Sequence, residues 1–397
     1  MAARPYATLV PRQTHRILAG HCWVFRSEFQ TIVGEAVDGE PLEIRDQRGT
    51  VVGSGLYSAQ SQIAVRLLSR RSVEFDAAFF RDRLRQARAL RDQRLGGRPA
   101  RRLVSSEGDL LPGLIVDQYG DRLVVQTTTV GMDRRLPMWL DLLKAEFSPA
   151  QIVERNDLTV RRHEGLPERT GVLHGPADTR LVVRVGRCDV EVDLLDPHKT
   201  GSYLDQQLNH EAVARWVVPG ARVLDCFCHL AGFGVHALLA GAKEAVAVDS
   251  AEASIAGARR SAELAQVGDR LVTHCANAFD WLRAADDARE TFDLVVLDPP
   301  SFTRNKDSVA GAMRGYKEIH VRGLRRLGVG GRLATFTCSH HVSAAMFLET
   351  VLEAAVDARR ILRLEETLSA SPDHPVLPTI PESQYLKGFV FSVMEAF

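Results

Sequence analysis

The chain has 397 residues, of which 45% are hydrophobic and 25% are charged. This length predicts two or three domains, each with its own core. Its apolar runs fall short of the roughly 18 residues that a membrane-spanning helix needs, and its first residues lack the apolar core of a signal peptide. We therefore expect a cytoplasmic protein that has no membrane partner.

The charges and cysteines indicate which partners, metals and disulfides to expect. The formal net charge is zero, which argues against a surface that binds nucleic acid everywhere. Residues 66–102 nevertheless carry 12 arginines against 4 acidic residues. This basic stripe either contacts phosphates or is the solvated face of a helix in an arginine-rich protein. The six cysteines are too scattered for a disulfide framework or a structural zinc site, so we expect reduced thiols and no metal.

The first 185 residues predict two small domains. Residues 1–75 contain short strands and turn glycines, which is typical of a β-rich domain. A helix with apolar residues on one face follows over 75–95, and strands then flank a second helix at 136–147. We interpret residues 76–185 as a small α+β domain.

From residue 190 the pattern changes to strands that alternate with alanine-rich helices. This alternation predicts an α/β domain over 190–397, with a parallel sheet covered on both faces. The last two strands, 361–367 and 388–394, are expected to form a hairpin that leaves one antiparallel strand at the sheet edge.

A nucleoside-binding site is predicted at the carboxyl ends of the first strands of this domain. Asp225 ends one strand, and Gly232 and Gly234 lie in the turn to the next helix, where glycine lets backbone approach a ligand. Asp249 ends the second strand and suits two ribose hydroxyls, although it can also cap the following helix. Asn277 follows the third strand and can face an adenine edge. Without a Walker lysine motif, the ligand should carry little phosphate, and S-adenosylmethionine fits.

A reactive site is predicted where the next two strands end. The sequence Asp298-Pro299-Pro300-Ser301-Phe302 follows one strand, and its prolines stiffen a loop that can present carbonyls and an aromatic edge to a flat base. Cys338 follows the other strand. Its thiolate can attack C6 of a pyrimidine and so make C5 nucleophilic. His340 and His341 are candidates for an assisting base, and the alternative is that Cys338 only fills a small buried space.

Together these residues resemble the ribosomal RNA large-subunit methyltransferase I type of enzyme. That family consists of class I methyltransferases that use S-adenosylmethionine to form 5-methylcytosine in 23S rRNA. The resemblance covers nearly the whole chain. It is carried by the segments 15–25, 53–58, 199–206, 298–302, 314–317, 337–339, 373–375 and 385–388.

The resemblance implies the architecture and the partners. It implies an RNA-binding PUA domain at 1–75, the α+β domain at 76–185 and a Rossmann-like methyltransferase domain at 190–397. The implied cofactor is S-adenosylmethionine and the implied partner is 23S rRNA or a large-subunit precursor. A homodimer is one candidate assembly, and the oligomeric state is left open.

The resemblance also implies roles for individual residues. Cys338 matches the nucleophile, and Asp298 is the second catalytic candidate. The residues implied to bind the cofactor are Asp225, Phe227, Gly232, Gly234, Asp249, Ser250, Asn277, Ala278, Asp298, Tyr203, Asp205 and Gln206. The residues implied to contact RNA are Pro299, Pro300, Phe302, Lys199, Tyr316 and Lys317.

Three positions depart from the family pattern. The glycine-rich loop, commonly Tyr-Thr-Gly-Gly, reads His229-Leu230-Ala231-Gly232 here, which affects the expected binding of the methionine end. Asn277 stands where an acid is common, and Ser301 where lysine is frequent. No second cysteine follows the prolines, so the base that removes the C5 proton is unassigned.

Two alternatives stay open from the sequence. One is an RNA methyltransferase acting on a purine amino group, in which Asp298 and the prolines hold the amine and Cys338 is structural. The other is a non-catalytic RNA-binding factor in ribosome assembly, which the altered loop at 229–232 favours.

Overall fold

The computed structural model describes residues 4–11, 14–195, 201–303 and 306–397. The chain divides into two compact units. The first comprises Met1–Leu181, Val192–Ser202 and Pro372–Ser383, and the second comprises Val182–Glu191, Tyr203–Ser371 and Gln384–Phe397. Among the described residues, no helix is both long and apolar enough to span a bilayer.

The first unit opens with a six-stranded sheet in the order β2-β6-β5-β4-β1-β3. Its elements are β1 (Tyr6–Leu9), α1 (Thr14–Leu18), β2 (Trp23–Phe25), β3 (Phe29–Val33), β4 (Pro41–Arg45), β5 (Val51–Tyr57) and β6 (Ile63–Ser69). The strands approach closely at Gly55, where a Cβ atom would lie 2.1 Å from the carbonyl oxygen of Arg66. Only glycine permits this spacing.

A second sheet of the same unit has five strands in the order β11-β10-β9-β8-β7. Its elements are α2 (Ala77–Leu95), β7 (Ala100–Ser105), β8 (Leu114–Tyr119), β9 (Arg122–Thr127), α3 (Val130–Asp133), α4 (Leu136–Phe147), β10 (Gln151–Asn156) and β11 (Arg169–His174). Helix α2 is capped by Asp76, which accepts a hydrogen bond from the Phe79 N–H. Its buried Phe80 packs edge-on against Trp139 of α4, with ring centroids 4.8 Å apart.

The segment Pro372–Ser383 belongs to the first unit although it lies late in the chain. Asp373 is fully buried there. Its Oδ2 accepts a hydrogen bond from the Arg102 N–H at 2.8 Å, and its carbonyl oxygen accepts one from the Arg91 guanidinium at 2.7 Å. These bonds anchor the returning segment on the second sheet.

A separate hairpin of β12 (Arg180–Val185) and β13 (Cys188–Asp193) follows this sheet. The boundaries near 75 and 185–190 that the sequence gives for three domains stay predictions.

The second unit is built on a seven-stranded sheet in the order β16-β15-β14-β17-β18-β20-β19. Its elements are α5 (Gln207–Ala214), β14 (Arg222–Cys226), α6 (Gly232–Leu239), β15 (Glu244–Asp249), α7 (Glu252–Leu264), β16 (Leu271–Cys275), α8 (Ala278–Asp287), β17 (Phe292–Leu297), α9 (Val309–Arg325), β18 (Leu327–Thr337), α10 (Ala344–Asp357), β19 (Arg360–Ser369) and β20 (Lys387–Ala396). The five strands β14 to β18 are parallel, as expected for crossovers through helices.

The last two strands pair antiparallel as expected from the sequence, and the strand at the sheet edge is antiparallel to its neighbour. β20 pairs antiparallel with both β18 and β19, and β19 takes the edge. The reason lies in the two strands' composition. The first seven residues of β20 are all buried, whereas β19 is largely solvent-exposed and carries several charges. The apolar strand therefore inserts inside the sheet, and the charged one protects the edge.

Both faces of this sheet are covered by apolar cores, which fixes where a ligand can bind. The strand order reverses beside β14, since β15 lies on one side of it and β17 on the other. At such a switch point the carboxyl ends of the strands border an open crevice. The ends of β14, β15, β17 and β18 therefore define the place to look for the site.

Candidate functional site at the carboxyl ends of the parallel strands

Asp225, near the end of β14, is fully buried. Its Oδ2 accepts a hydrogen bond from the Gly234 N–H at 2.8 Å, and its Oδ1 is buried with no hydrogen-bond partner among the described residues. Burial raises the pKa of Asp225 well above its usual value, the Gly234 bond opposes this, and the charges of Asp298 and Asp249 raise it further. A buried acceptor with acidic neighbours suits a cationic ligand.

The loop from β14 to α6 follows a strained backbone path. Phe227, His229 and Ala231 have φ values of 63°, 49° and 54°, in the left-handed region that disfavours non-glycine residues. Ala231 thus keeps the backbone conformation that a glycine would adopt without strain. At Gly232 a Cβ atom would lie 2.4 Å from the ring of His210, so this position requires glycine. Clustered strain of this kind is typical of ligand-binding loops.

Asp249 connects this loop to the next crossover. Its Oδ2 accepts a hydrogen bond from the His229 N–H and its Oδ1 accepts one from the Ala251 N–H, both at 3.0 Å. The second bond is the helix-start interaction that the sequence offered as the alternative to ribose binding. Each carboxylate oxygen keeps acceptor capacity for a ligand hydroxyl. Ser250, beside it, is exposed.

Asn277 and three aromatic rings lie at the start of α8 and around it. Asn277 is exposed and caps α8 by accepting a hydrogen bond from the Phe279 N–H at 2.9 Å, while Ala278 is buried. The capping bond uses the amide oxygen, so the amide NH₂ is the group left for a base edge. The ring centroid of Phe227 lies 6.5 Å from the ring centroids of both Phe279 and Phe302. These partly buried rings suit contact with a flat base.

Asp298, directly after β17, is held by a chain of side-chain amides. Its Oδ2 accepts a hydrogen bond from the Gln206 amide at 2.9 Å. Gln206 in turn accepts one from Asn209, which also donates to the carbonyl oxygen of Ser369. This chain fixes the carboxylate of Asp298, which is partly exposed, at the edge of the crevice.

Tyr203 connects Asp298, Asp205 and Cys338. Its ring packs edge-on against His229 at 4.8 Å between centroids. Burial raises the pKa of Tyr203 to about 12, and the charges of Asp298, Asp205 and Cys338 contribute in that order. Tyr203, which is 37% exposed, therefore interacts electrostatically with groups that the sequence assigned to cofactor binding and catalysis.

Cys338 follows β18 and is partly exposed. β18 pairs in parallel with β17, the condition on which the sequence interpretation placed Cys338 beside Asp298. Hydroxyl groups hold the residues on either side of it. The preceding Thr337 bonds to the Tyr316 hydroxyl at 2.8 Å, and the following Ser339 bonds to the Thr303 hydroxyl. The second contact ties the loop after the two prolines to the segment that carries the thiol.

The predicted RNA-contacting residues are distributed unevenly. Pro299 is buried and Pro300 is exposed, while Phe302 is partly buried beside the crevice. Tyr316 is fully buried, and its hydroxyl supports Thr337 rather than facing solvent.

One lysine of that group, Lys317, is not brought to the site. Lys317 pairs with Glu353 and Asp357 of α10, at 3.3 and 3.1 Å. Lys199 lies outside the described residues.

Two further residues of the site were assigned no role from the sequence. The Tyr385 hydroxyl donates to Asp205 Oδ2 at 2.7 Å, and Lys387 donates to the carbonyl oxygen of Ser339 at 2.8 Å. Both lie in the segment 385–388 that carried part of the resemblance. The sequence feature that could have pointed to Lys387 is composition. It is one of only six lysines in the chain and is the first residue of an apolar strand.

Much of the basic stripe 66–102 is paired inside the first unit. Arg91 is fully buried and pairs with Asp109, and Arg102 pairs with the buried Asp117 at 2.7 Å. Arg85 bonds to Glu146 at 2.9 Å. Arg94, by contrast, is exposed. Only part of the stripe therefore remains for phosphates.

Comparison with known proteins is consistent with this geometry. Residues 7–70 match the model of a PUA-like domain, and residues 148–391 match that of an S-adenosylmethionine-dependent methyltransferase. The crystal structure of SMU.776 complexed with SAH aligns with a TM-score of 0.83 at 20% identity, covering 98% of this chain and all of that one. A second chain, from Streptococcus mutans, aligns at 0.82 and 19% identity, with coverage of 98% and 100%. These two structures support the fold.

The fold, the matched family model and the acidic crevice define a methyltransferase whose cofactor is S-adenosylmethionine. The unpartnered Oδ1 of Asp225 fits a cofactor that carries ammonium and sulfonium charges.

A ribosomal RNA large subunit methyltransferase I of Aeromonas hydrophila is 38% identical, covering 96% of this chain and 98% of that protein. The protein of the same name from Tolumonas auensis is 37% identical, with coverage of 94% and 96%. The chain belongs to the ribosomal RNA large subunit methyltransferase I family, which confirms the resemblance and the fold class expected from the sequence.

Proposed function

We propose that the protein forms 5-methylcytosine in 23S rRNA or a large-subunit precursor, in the cytoplasm. The observation that carries the proposal is the partly exposed Cys338 directly after β18, next to β17, which Asp298 follows. A thiol beside a rigid proline loop and a cofactor crevice has the groups that attack on C6 of a pyrimidine requires. The names of the near full-length relatives supply the rRNA substrate.

In this proposal the chain's residues activate and hold the cytosine. Asp298, fixed by Gln206, accepts a hydrogen bond from the exocyclic amine, the donor that cytosine presents. The Cys338 thiolate forms a bond to C6 and shifts the electron pair of the C5–C6 double bond to C5. S-adenosylmethionine, when bound, supplies the electrophilic methyl group. Loss of the C5 proton to a base and expulsion of the thiolate then restore the aromatic ring.

The remaining assignments follow from the placement of the side chains. Asp225 and Gly234 hold the methionine end of the cofactor, together with Gly232. Asp249 binds the ribose, with Ser250 beside it. The aromatic group Phe227, Phe279 and Phe302 borders the bases, and Tyr203 with Asp205 closes the crevice next to Cys338.

The test is the identity of the methylated nucleoside. RNA from cells that lack the gene is incubated with the protein and methyl-labelled S-adenosylmethionine, digested, and separated by chromatography. We expect label in 5-methylcytosine and none with Cys338→Ser, while Cys275→Ser, a change at an exposed cysteine away from β18, keeps the activity. Label in a methylated purine that persists in Cys338→Ser would establish the amino-group alternative. Full cofactor binding without label would favour the assembly-factor alternative.

A further inference from the structure

Lys387 is the first residue of β20 and lies beside the turn that carries Cys338. In the antiparallel pairing of β20 with β18, Lys387 is opposite Thr337, the residue before the cysteine. Its Nζ donates a hydrogen bond to the carbonyl oxygen of Ser339, the residue after it, at 2.8 Å. The side chain reaches this position while only 9% of the residue is exposed.

A buried ammonium needs a nearby negative charge to offset the loss of hydration. The Ser339 carbonyl is a neutral acceptor and supplies only part of this. Burial lowers the pKa of Lys387, and the negative charge of Cys338 is the effect that opposes it. Because coupling between two ionisable groups is reciprocal, the ammonium must favour the thiolate by the same free energy.

Two tyrosines are further titratable groups that interact with Cys338. Tyr203 and Tyr316 both interact with its charge, and burial raises the pKa of each to about 12, so both are neutral near pH 7. The carboxylate of Asp298 interacts with both tyrosines. His340 stands on the same segment as Cys338 and packs its ring on Tyr385, with centroids 5.7 Å apart.

We propose that Lys387 is the positioning residue that keeps Cys338 as a thiolate and anchors the turn that presents it. This rests on the proposed function, in which that thiolate attacks a pyrimidine. When the thiol ionises, its proton passes to water and the ammonium of Lys387 balances the charge that remains. After elimination from C6 the thiolate re-forms beside the same ammonium, so each turnover begins with an active nucleophile.

The test measures ionisation of Cys338 in the full-length protein without RNA or cofactor. Alkylation by iodoacetamide is followed from pH 5 to 10, and each cysteine peptide is quantified by mass spectrometry. For the wild type we expect a Cys338 midpoint below the value of about 8.5 for a free thiol. Lys387→Met should raise the midpoint by at least one unit, which slows alkylation near pH 7 about 10-fold. Lys387→Arg keeps the charge and should keep the low midpoint, and the exposed Cys275 serves as the internal reference.

A wild-type midpoint at or above 8.5 would overturn the inference without any variant that has to fold. An unchanged midpoint in a folded Lys387→Met protein would overturn it too, since a purely structural lysine leaves the thiol's ionisation alone. The proposed function fails separately, through the identity of the methylated nucleoside. A low, Lys387-dependent midpoint in a protein that makes no 5-methylcytosine would support the ion pair and contradict the proposed reaction.

Discussion

The two units stabilise buried charge in different ways. Beside the second sheet of the first unit, the fully buried Arg161 pairs with Asp133 at 2.9 Å, and Arg169 bonds to the same carboxylate at 2.7 Å. At the switch point of the second unit, Asp225 is equally buried, but its hydrogen bond comes from a backbone N–H and its charged neighbours are Asp298 and Asp249. One cluster provides its own counter-ions, and the other is acidic.

This difference separates a structural charge cluster from a ligand site. Removing one partner of a paired cluster leaves an uncompensated buried charge, which destabilises the fold. A buried acidic cluster without counter-ions has lost its hydration and gained no opposite charge in return. A cationic ligand that binds there supplies that charge and stabilises the folded protein. We therefore expect changes in the first cluster to alter stability and changes in the second to alter cofactor affinity.

The largest effect is expected at Arg161. Replacing it by Met should lower the free energy of unfolding by about 3 kcal/mol, because Asp133 loses one of its two counter-ions and the carbonyl oxygens of Thr127 and Pro167 lose a donor. Urea denaturation measures this change. The adjacent Arg162 pairs with Glu168 at the surface, with 70% of its side chain exposed, so Arg162→Met should cost less than about 1 kcal/mol. Equal losses in the two variants would remove the distinction.

Asp225→Asn is expected to weaken S-adenosylmethionine binding by about 10- to 100-fold, which corresponds to about 1.4–2.7 kcal/mol. The amide oxygen still accepts the Gly234 hydrogen bond but no longer offers a charge to the cofactor. Isothermal titration calorimetry measures the affinity. Asp287→Asn, at an exposed position late in α8, is the matched control and should bind normally. An unchanged affinity in Asp225→Asn would show that the buried carboxylate does not contact the cofactor.

A pH dependence of stability follows from the raised pKa of Asp225. In the free protein the folded state binds this proton more tightly than the unfolded state does. The contribution is therefore favourable in acid and is lost as pH rises from about 4 through the raised folded value. Relative to Asp225→Asn, the wild type should lose stability over this window, and saturating cofactor should reduce the loss. A constant difference between pH 4 and 8 would contradict the assignment.

The smallest effect concerns RNA affinity in the basic stripe. Arg94 is exposed, so Arg94→Gln should weaken rRNA binding two- to fourfold and lower the salt dependence by about one counter-ion. Arg85 is already paired with Glu146, and Arg85→Gln should have less effect. Filter binding at several salt concentrations compares the two variants. A larger loss in Arg85→Gln would mean that internal pairing does not decide which arginines meet phosphate.

The sequence predicts the parallel part of the sheet well because strand and helix periodicities are local. The ends of β14, β15 and β17 carry Asp225, Asp249 and Asp298, and each was placed by its position after an apolar run. The order of the last two strands was not predictable in this way. Whether β20 lies inside or at the edge depends on competition between two strands for one partner, which only their burial in the assembled sheet resolves.

The residues of the candidate site that directly follow a strand could be predicted from the sequence. The residues that reach the candidate site from distant segments could not. Tyr385 reaches Asp205 across 180 positions of sequence, and Lys387 reaches Ser339 across 48. Counting arginines in the basic stripe also overstated the positive charge available to RNA. Arg91, for example, is neutralised by Asp109 in its own unit. Charge balance depends on three-dimensional neighbours, which composition does not contain.

The most direct test of the proposed nucleophile uses rRNA in which cytidine is replaced by 5-fluorocytidine. In 5-fluorocytidine, C5 carries fluorine in place of hydrogen, so there is no C5 proton for a base to remove. The bond between Cys338 and C6 should therefore persist after methyl transfer and give a denaturation-stable protein–RNA adduct. We predict an adduct that requires S-adenosylmethionine and maps to the Cys338 peptide, with none in Cys338→Ser. No adduct with the wild type, or an adduct that survives in Cys338→Ser, would contradict the account.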